Sequence, residues 1–166
     1  HMQGAITMDV PWPSLRSMWV SLFSDESLLR PRYSGTGTVT LDAKLGGFHL
    51  LTVKPGERWI LDTKCFWASD DEVGLSIHRE RLLTSLLAGQ GLFWYKTSLK
   101  GHGQAVLCVD GPVQEVKLKN ERLVVDGLFV IARTQGITLS MRRPAKSVMS
   151  YVLSGQTRAY VYEGTG

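Results

Sequence analysis

The hydrophobic positions of this chain fall in short runs rather than at helical spacing. The runs are rich in β-branched and aromatic residues and are separated by Gly or Asp, a pattern typical of strands. Val116 and Leu118 alternate with Glu115 and Lys117, which predicts a strand with one face exposed to solvent. The predicted strands are 38–41, 48–53, 59–61, 65–68, 73–77, 104–109, 113–118, 122–125, 129–132 and 137–141.

Helical turns are predicted at only three places. The segments 81–88 and 147–153 are each followed by glycine, Gly89 and Gly155, the residue type that most often ends a helix. Residues 16–23 form a comparable turn. The segment around Trp12 has a proline on each side, which disfavours a helix and a central strand. We expect an extended arm there, packed on the domain or on a neighbour.

The pattern repeats along the chain. Residues 57–62 are echoed at 121–126 and residues 73–76 at 137–140, both at an offset of 64. A fixed period of this length indicates one supersecondary unit used more than once. We place the units at 35–90 and 101–156, with a partial third at 155–166 that ends one strand early. The domain is predicted to be single and to span 3–166, since the two residues before Gln3 are typical of an expression remnant.

Strands at this spacing predict an all-β fold, a pseudo-symmetric β-sandwich or barrel built from repeats of about 65 residues. Apolar residues that recur in both units are predicted to be largely buried: Trp59, Phe66, Leu75, Leu123, Val125, Val130 and Leu139. At a buried position, Trp59→Ala costs roughly 3–5 kcal/mol. With 43% hydrophobic residues in a chain of 166, a core of this kind needs no metal or disulfide.

Composition and charge narrow the functional classes. No apolar run approaches the roughly 20 residues of a membrane-spanning helix, and no targeting signal is visible. Residues 1–76 carry a net charge of −2 and residues 77–166 a net charge of +6. A basic half is typical of contact with phosphate, and equally of a solvated face.

Motifs of catalysis are not found in the sequence. It contains no HExxH, Walker loop, GxSxG elbow or paired CxxC, so we predict no catalytic residue, no metal and no cofactor. Cys65 and Cys108 are interpreted as small buried hydrophobic residues, with a redox thiol as the alternative. The scattered histidines do not have metal-ligand spacing.

Several polar motifs have structural interpretations. Gly35-Thr36-Gly37 and Gly101-His102-Gly103 are interpreted as hairpin turns rather than phosphate loops. The acidic run 70–72 is predicted to be a solvated turn, with a weak cation site as the alternative. Asp62 and Asp126 recur at matching positions and are expected to close a turn by a side-chain hydrogen bond.

Basic residues recur after two matching strands. His78-Arg79 follows the strand 73–77 and Arg142-Arg143 follows the strand 137–141, with Arg81 and Lys146 nearby. Together these six residues form a candidate polyanion-binding rim. The alternative explanation for these basic residues is that they only mark the solvent-exposed ends of the two strands. Trp94 and Tyr95, beside Lys96, could stack on bases or pack in the core.

Three patches carry a family resemblance: 86–93, 121–126 and 25–29. They resemble the altered-inheritance-of-mitochondria family, and its prokaryotic members more than the fungal ones. The resemblance implies a fold similar to the tryptophan RNA-binding attenuator protein, a short double-stranded β-helix that often assembles into rings. It implies no catalytic residues, and a cytoplasmic location in a prokaryote or a mitochondrial one in a eukaryote. The chain lacks the usual long first β segment, and Lys119-Asn120 stands where glycine is common.

The favoured hypothesis is a non-enzymatic β domain that acts by homo-oligomeric assembly, as a scaffold or interaction module for a protein partner that the sequence does not identify. The alternatives are an RNA- or polyanion-binding protein and an enzyme with an unrecognised site. The candidate interface residues are Trp12, Arg158, Tyr160 and Tyr162, because the strand 158–162 is predicted to have an unpaired edge. Deleting residues 3–13, or changing Val161 to Lys, is then expected to shift the mass toward monomer.

Overall fold

The computed structural model of the chain describes residues 1–11, 30–42, 46–80, 94–126, 129–142 and 159–166. These ranges contain strands and no helix, which confirms the all-β prediction. None of them forms a helix that could span a membrane. The helical turns predicted at 16–23, 81–88 and 147–153 lie outside the described residues. The strands are β1 Met2–Asp9, β2 Arg32–Val39, β3 Gly47–Val53, β4 Arg58–Leu61, β5 Phe66–Ser69, β6 Val73–Glu80, β7 Trp94–Gly101, β8 Gly103–Val109, β9 Lys119–Asp126, β10 Ala132–Thr134, β11 Ile137–Arg142 and β12 Ala159–Thr165.

The strands form four antiparallel sheets. β1 and β2 form a two-stranded ribbon, and β10-β4-β7-β6 form a four-stranded sheet. The other two sheets are three-stranded, in the orders β3-β8-β5 and β11-β12-β9. Several sheet neighbours are distant in sequence, so the register depends on long-range pairing that a local pattern does not specify.

Two strand predictions are wrong, those at 113–118 and 129–132. Of the second segment only Ala132 belongs to a strand, β10. Residues 113–118 form no strand, although Leu118 exchanges two backbone hydrogen bonds with Gly166, at 2.8 and 2.9 Å. As predicted, one face of this segment is exposed to solvent. Val116 was expected on the buried face, but it is 48% exposed, whereas Leu118 is buried. The arm was predicted for residues 8–13. Of these, Met8 and Asp9 belong to β1, which pairs with β2 over its whole length, and residues 12 and 13 lie outside the described residues.

Two sheets share one pairing scheme. β7 lies between β4 and β6, and β12 lies between β9 and β11. The registers also correspond. Arg58 pairs with Lys100 as Arg122 pairs with Glu163. Val73 pairs with Gly101 as Ile137 pairs with Gly164. The repeat of whole units and the likeness to the RNA-binding attenuator protein stay predictions, because residues 81–93 and 143–158 lie outside the described residues.

The Gly-x-Gly motifs are not hairpin turns. Gly35 lies inside β2, and Gly101 ends β7 where the chain passes from one sheet to another. Each has a positive φ, and so does Gly164 of β12. A Cβ atom at these three positions would lie 2.0–2.2 Å from a carbonyl oxygen of the facing segment. Glycine is therefore needed because two backbones approach closely at a left-handed residue.

The described residues form two buried apolar clusters. The first joins the β3-β8-β5 sheet to the four-stranded sheet, and the second lines one face of the β11-β12-β9 sheet. Of the predicted core, Leu139 is buried, while Leu75 is 39% exposed and that prediction is wrong. β6 is an edge strand, and its face at Leu75 is only partly covered. The remaining predicted core residues are partly buried against the clusters: Trp59, Phe66, Leu123, Val125 and Val130.

Candidate functional site

The six basic residues predicted to bind a polyanion are not brought together on one described surface. His78 and Arg79 are neighbours in β6, so their side chains point to opposite faces of the sheet. The His78 side chain is 28% exposed and faces Glu80, whereas Arg79 is exposed. Arg142 ends β11 and only its backbone is described. The other three lie outside the described residues: Arg81, Arg143 and Lys146.

The structure instead assembles a buried layer of charged side chains on one face of the four-stranded sheet. Lys96 Nζ lies 3.0 Å from Asp62 Oδ1, and the Arg133 guanidinium pairs with Glu80. The exposed fractions of the four side chains are between 6% and 17%. Because an unpaired charge is costly in the interior, each pair holds its members in one geometry.

Two further ionisable groups border this charge layer. Burial lowers the pKa of His78 below its usual 6.5, and the positive charges of Arg133, Arg58 and Lys96 lower it further against the opposing effect of Glu80. Burial and the Asp62 carboxylate raise the pKa of Tyr162 to about 12. Both groups are therefore held in their neutral forms near pH 7.

The layer also contains a polar atom without a partner. Ser98 is 1% exposed, and its hydroxyl has no hydrogen-bond partner among the described residues. It follows Lys96 by two positions in β7, so both side chains lie on the same face. Lys96, Glu80 and Arg133 were not among the predicted site residues. The local sequence offers only a weak signal for Arg133, which follows the apolar run 129–132 and precedes the polar Thr134 and Gln135.

The unpaired edge predicted for the C-terminal strand is wrong. β12 is the central strand of its sheet and has a partner on both edges. Tyr160 and Tyr162 are 5% and 3% exposed, because they pack in the second apolar cluster. Val161 is 2% exposed, so a lysine there would destabilise the fold rather than test assembly. Trp12 and Arg158 lie outside the described residues.

The β1-β2 ribbon is the most exposed described part of the chain. Thirteen of its sixteen residues are exposed, and only Ile6, Tyr33 and Val39 are partly covered. Among the described residues, no third strand pairs with the free edge of β2. The ribbon is tied to the rest through Arg30, 4.6 Å above the Phe66 ring, and through the exposed ion pair of Arg32 with Asp71.

A second exposed surface is the outer face of the β3-β8-β5 sheet. Phe48 and Leu50 of β3 are 48% and 59% exposed. The Phe48 ring packs against Trp67, with 5.7 Å between the centroids. Cys108 lies opposite Phe48 in β8, so it belongs to the same face. Cys65 and Cys108 are both partly buried thiols, less covered than predicted.

The acidic run 70–72 forms a turn, as predicted. Asp70 Oδ2 accepts a hydrogen bond from the Gln104 backbone N–H at 2.8 Å, and Val73 N–H donates to Asp70 O at 3.2 Å. Over the described ranges, no three His, Cys, Asp or Glu side chains are arranged to hold a metal ion.

Comparisons with known proteins place this fold in a family. A family model described as mitochondrial biogenesis AIM24 matches residues 1–166. The X-ray crystal structure of protein SPYM3_0169 from Streptococcus pyogenes is similar at a TM-score of 0.65 and 15% sequence identity, over 100% of this chain and 76% of that chain. At this identity the likeness shows the fold alone. A search of the curated proteins finds no match. Because the family model matches the whole chain, the chain belongs to the mitochondrial biogenesis AIM24 family, which confirms the resemblance found in the sequence.

Proposed function

We propose that this chain is a non-enzymatic β domain that acts by assembly, and that the β1-β2 ribbon is its contact surface. The observation that carries the proposal is that the described residues place no third strand beside β2. In two of the other sheets, β4 pairs with β7 and β9 pairs with β12, while the described residues place nothing against the corresponding edge of β2. A two-stranded ribbon with little burial is marginally stable in water, so a partner surface would stabilise it.

The free edge of β2 presents hydrogen-bonding groups in a regular row. His1 and Thr40 exchange two backbone hydrogen bonds, of 2.8 and 2.9 Å, which marks them as a hydrogen-bonded pair. Such pairs alternate along an antiparallel ladder. The backbone N–H groups of Tyr33, Gly35, Gly37 and Val39 therefore point away from β1. This row is able to accept another strand.

The proposed occupant is β2 of a second copy of this chain, paired antiparallel about a two-fold axis. An axis at Thr36 would pair the outward-facing Tyr33 with Val39 of the other copy and Gly35 with Gly37. It would place Arg32 of each copy opposite Thr40 of the other. Arg32 is the only charged residue of β2. The two Arg32 side chains would then lie at opposite ends of the joint sheet. Their separation limits repulsion at the contact between two chains that each have a net charge of +4.

The proposal is tested by measuring the mass of the chain with light scattering at tens of micromolar. We expect the unaltered chain to be a dimer or a larger multiple. Val39→Pro removes one outward N–H without touching a hydrogen bond to β1, and we expect it to shift the mass toward monomer. Deleting residues 3–13 removes β1 and is expected to act in the same direction.

The matched control is Val39→Ala, which keeps the N–H and shortens the side chain. It is expected to assemble as the unaltered chain does. A monomer for the unaltered chain at this concentration contradicts the proposal. Equal masses for Val39→Pro and Val39→Ala would show that the edge of β2 is not the contact.

Binding of RNA or another polyanion has weaker support. His78 and Arg79 face opposite sides of β6, and Lys96 and Arg133 are buried in ion pairs. A polyanion-binding protein loses affinity for unrelated RNA steeply as salt rises, and the assembly proposal does not predict this loss. The family description refers to mitochondrial biogenesis and the structural neighbour is bacterial. A mitochondrial location in a eukaryote, or a cytoplasmic one in a prokaryote, therefore remains part of the proposal.

A further inference from the structure

The two cysteines of the chain face each other across a pair of strands. Phe66 pairs with Leu107 in the ladder between β5 and β8. One step outward along the same antiparallel register, Cys65 stands opposite Cys108. The Cys108 N–H donates a hydrogen bond of 2.7 Å to the carbonyl oxygen of Cys65, which shows that the ladder continues to this pair. Directly opposite residues project their side chains on the same face of a sheet.

The spacing of this pair suits a disulfide. Opposite residues of a hydrogen-bonded antiparallel pair have Cα atoms about 5.5 Å apart. Disulfides span Cα distances of roughly 4.4–6.8 Å. The Cβ atoms of a hydrogen-bonded pair lie near the far end of the range of about 4.5–5.5 Å, so they must approach by about 1 Å or more to reach the roughly 3.5–4.5 Å of a disulfide.

Local structure at Cys65 leaves room for that approach. Its own N–H donates to Asp62 O at 3.4 Å, so the pair with Cys108 has a single ladder bond. Cys65 lies just before β5, an edge strand of 4 residues that has a register shift between Phe66 and Ala68. It also follows Lys64, which has a φ of 65°. The end of a short, irregular edge strand moves more easily than the middle of a sheet.

We propose that Cys65 and Cys108 form a thiol-modification site that takes a small-molecule disulfide, such as oxidised glutathione, and closes to an internal disulfide. The Sγ of one cysteine attacks the disulfide of glutathione, whose S–S bond breaks and releases one glutathione thiolate. The Sγ of the second cysteine attacks the protein sulfur of the mixed disulfide and releases the second glutathione. The two thiol protons go to the two released thiolates, and the glutathione disulfide is reduced by two electrons.

The experiment incubates the full chain in glutathione buffers of increasing oxidised fraction, traps remaining thiols with an alkylating reagent and measures intact masses. We expect a species that lacks two hydrogen atoms and has no alkylated cysteine. Peptide mapping is expected to join the peptides that contain Cys65 and Cys108. Cys65→Ser and Cys108→Ser are expected to stop at a single glutathione adduct, because the resolving thiol is missing.

Three results would overturn the proposal. In the first, the unaltered chain carries two glutathione groups. In the second, the unaltered chain keeps both thiols at every buffer composition. In the third, two chains are joined by a disulfide. The map of the unaltered chain does not depend on whether the serine variants fold. The outcome is also separate from the assembly proposal, since the site lies on the β3-β8-β5 sheet and the proposed contact lies on β2.

Discussion

At the scale of single residues, the distinctive feature is a set of charges placed in the interior. The Lys96–Asp62 pair is expected to contribute more than its surface counterparts, because neither group finds water if its partner is removed. We expect Lys96→Met to lower the free energy of unfolding by about 3–5 kcal/mol in urea denaturation. Replacing both members, as Lys96→Met with Asp62→Leu, is expected to recover much of this loss.

The control for that pair is Lys117→Met. Lys117 lies 4.0 Å from Glu115, and both side chains are at least 75% exposed. An exposed pair of this kind is worth about 0–1 kcal/mol, so little change is expected. Equal losses for Lys96→Met and Lys117→Met would mean that the Asp62 carboxylate is solvated once Lys96 is gone.

The pH dependence of stability is expected to report on His78. Its pKa is lowered in the folded chain, so below about pH 6.5 the unfolded chain takes up a proton more readily than the folded one. The free energy of unfolding therefore falls as the pH is lowered through 6.5 toward the pKa of the folded state. We expect His78→Gln to flatten this part of the profile, measured by urea denaturation between pH 7.5 and pH 5 in steps of about half a unit. His102→Gln, on the exposed bend between β7 and β8, is the control, and an unchanged slope in His78→Gln would contradict the assignment.

At the scale of elements, the chain depends on glycines where two backbones meet. A Cβ atom at Gly101 would lie 2.1 Å from Glu72 O, and one at Gly164 would lie 2.2 Å from Gly136 O. Both residues also have a positive φ. We expect Gly101→Ala and Gly164→Ala to lower the melting temperature strongly, at a cost of at least about 2 kcal/mol each, from left-handed strain and the clash together.

Gly111 provides the matched control for these variants. It lies in open space, with no atom within 4 Å of an added Cβ and no positive φ. Gly111→Ala is expected to leave the melting temperature nearly unchanged or slightly raised, because alanine restricts the unfolded chain. If Gly101→Ala melts where Gly111→Ala does, the strands β6 and β7 can separate at that point without cost.

At the scale of the whole molecule, assembly through β2 has a thermodynamic consequence. A second copy that binds only the folded chain stabilises it by mass action. The melting temperature of the unaltered chain is therefore expected to rise with protein concentration between about 1 and 100 μM, the range over which a micromolar dimer forms. For Val39→Pro the melting temperature is expected to be lower and independent of concentration, and parallel curves for the two proteins would contradict assembly at this edge.

Much of the fold follows from the local pattern of residues. β3, β4, β6, β8 and β11 lie where alternating or β-branched runs predict them. Where the pattern was misleading, the cause is tertiary. The 113–118 segment alternates as a strand does, yet only Leu118 finds backbone partners, at Gly166. The glycine pairs are typical of turns, but they serve close contacts between strands that are distant in sequence.

The sequence by itself determined the all-β class and the family, because both depend on residue type and spacing along the chain. Only the tertiary structure decided which strands are edges, because strand order depends on long-range pairing. Among the described residues, β12 is the central strand of its sheet and β2 is an edge strand. It also decided which charges are buried. Lys96 and Asp62 are 34 positions apart, and only the pairing of β4 with β7 brings them to 3.0 Å. The same holds for Cys65 and Cys108, which no local spacing relates and which the register of β5 against β8 sets face to face.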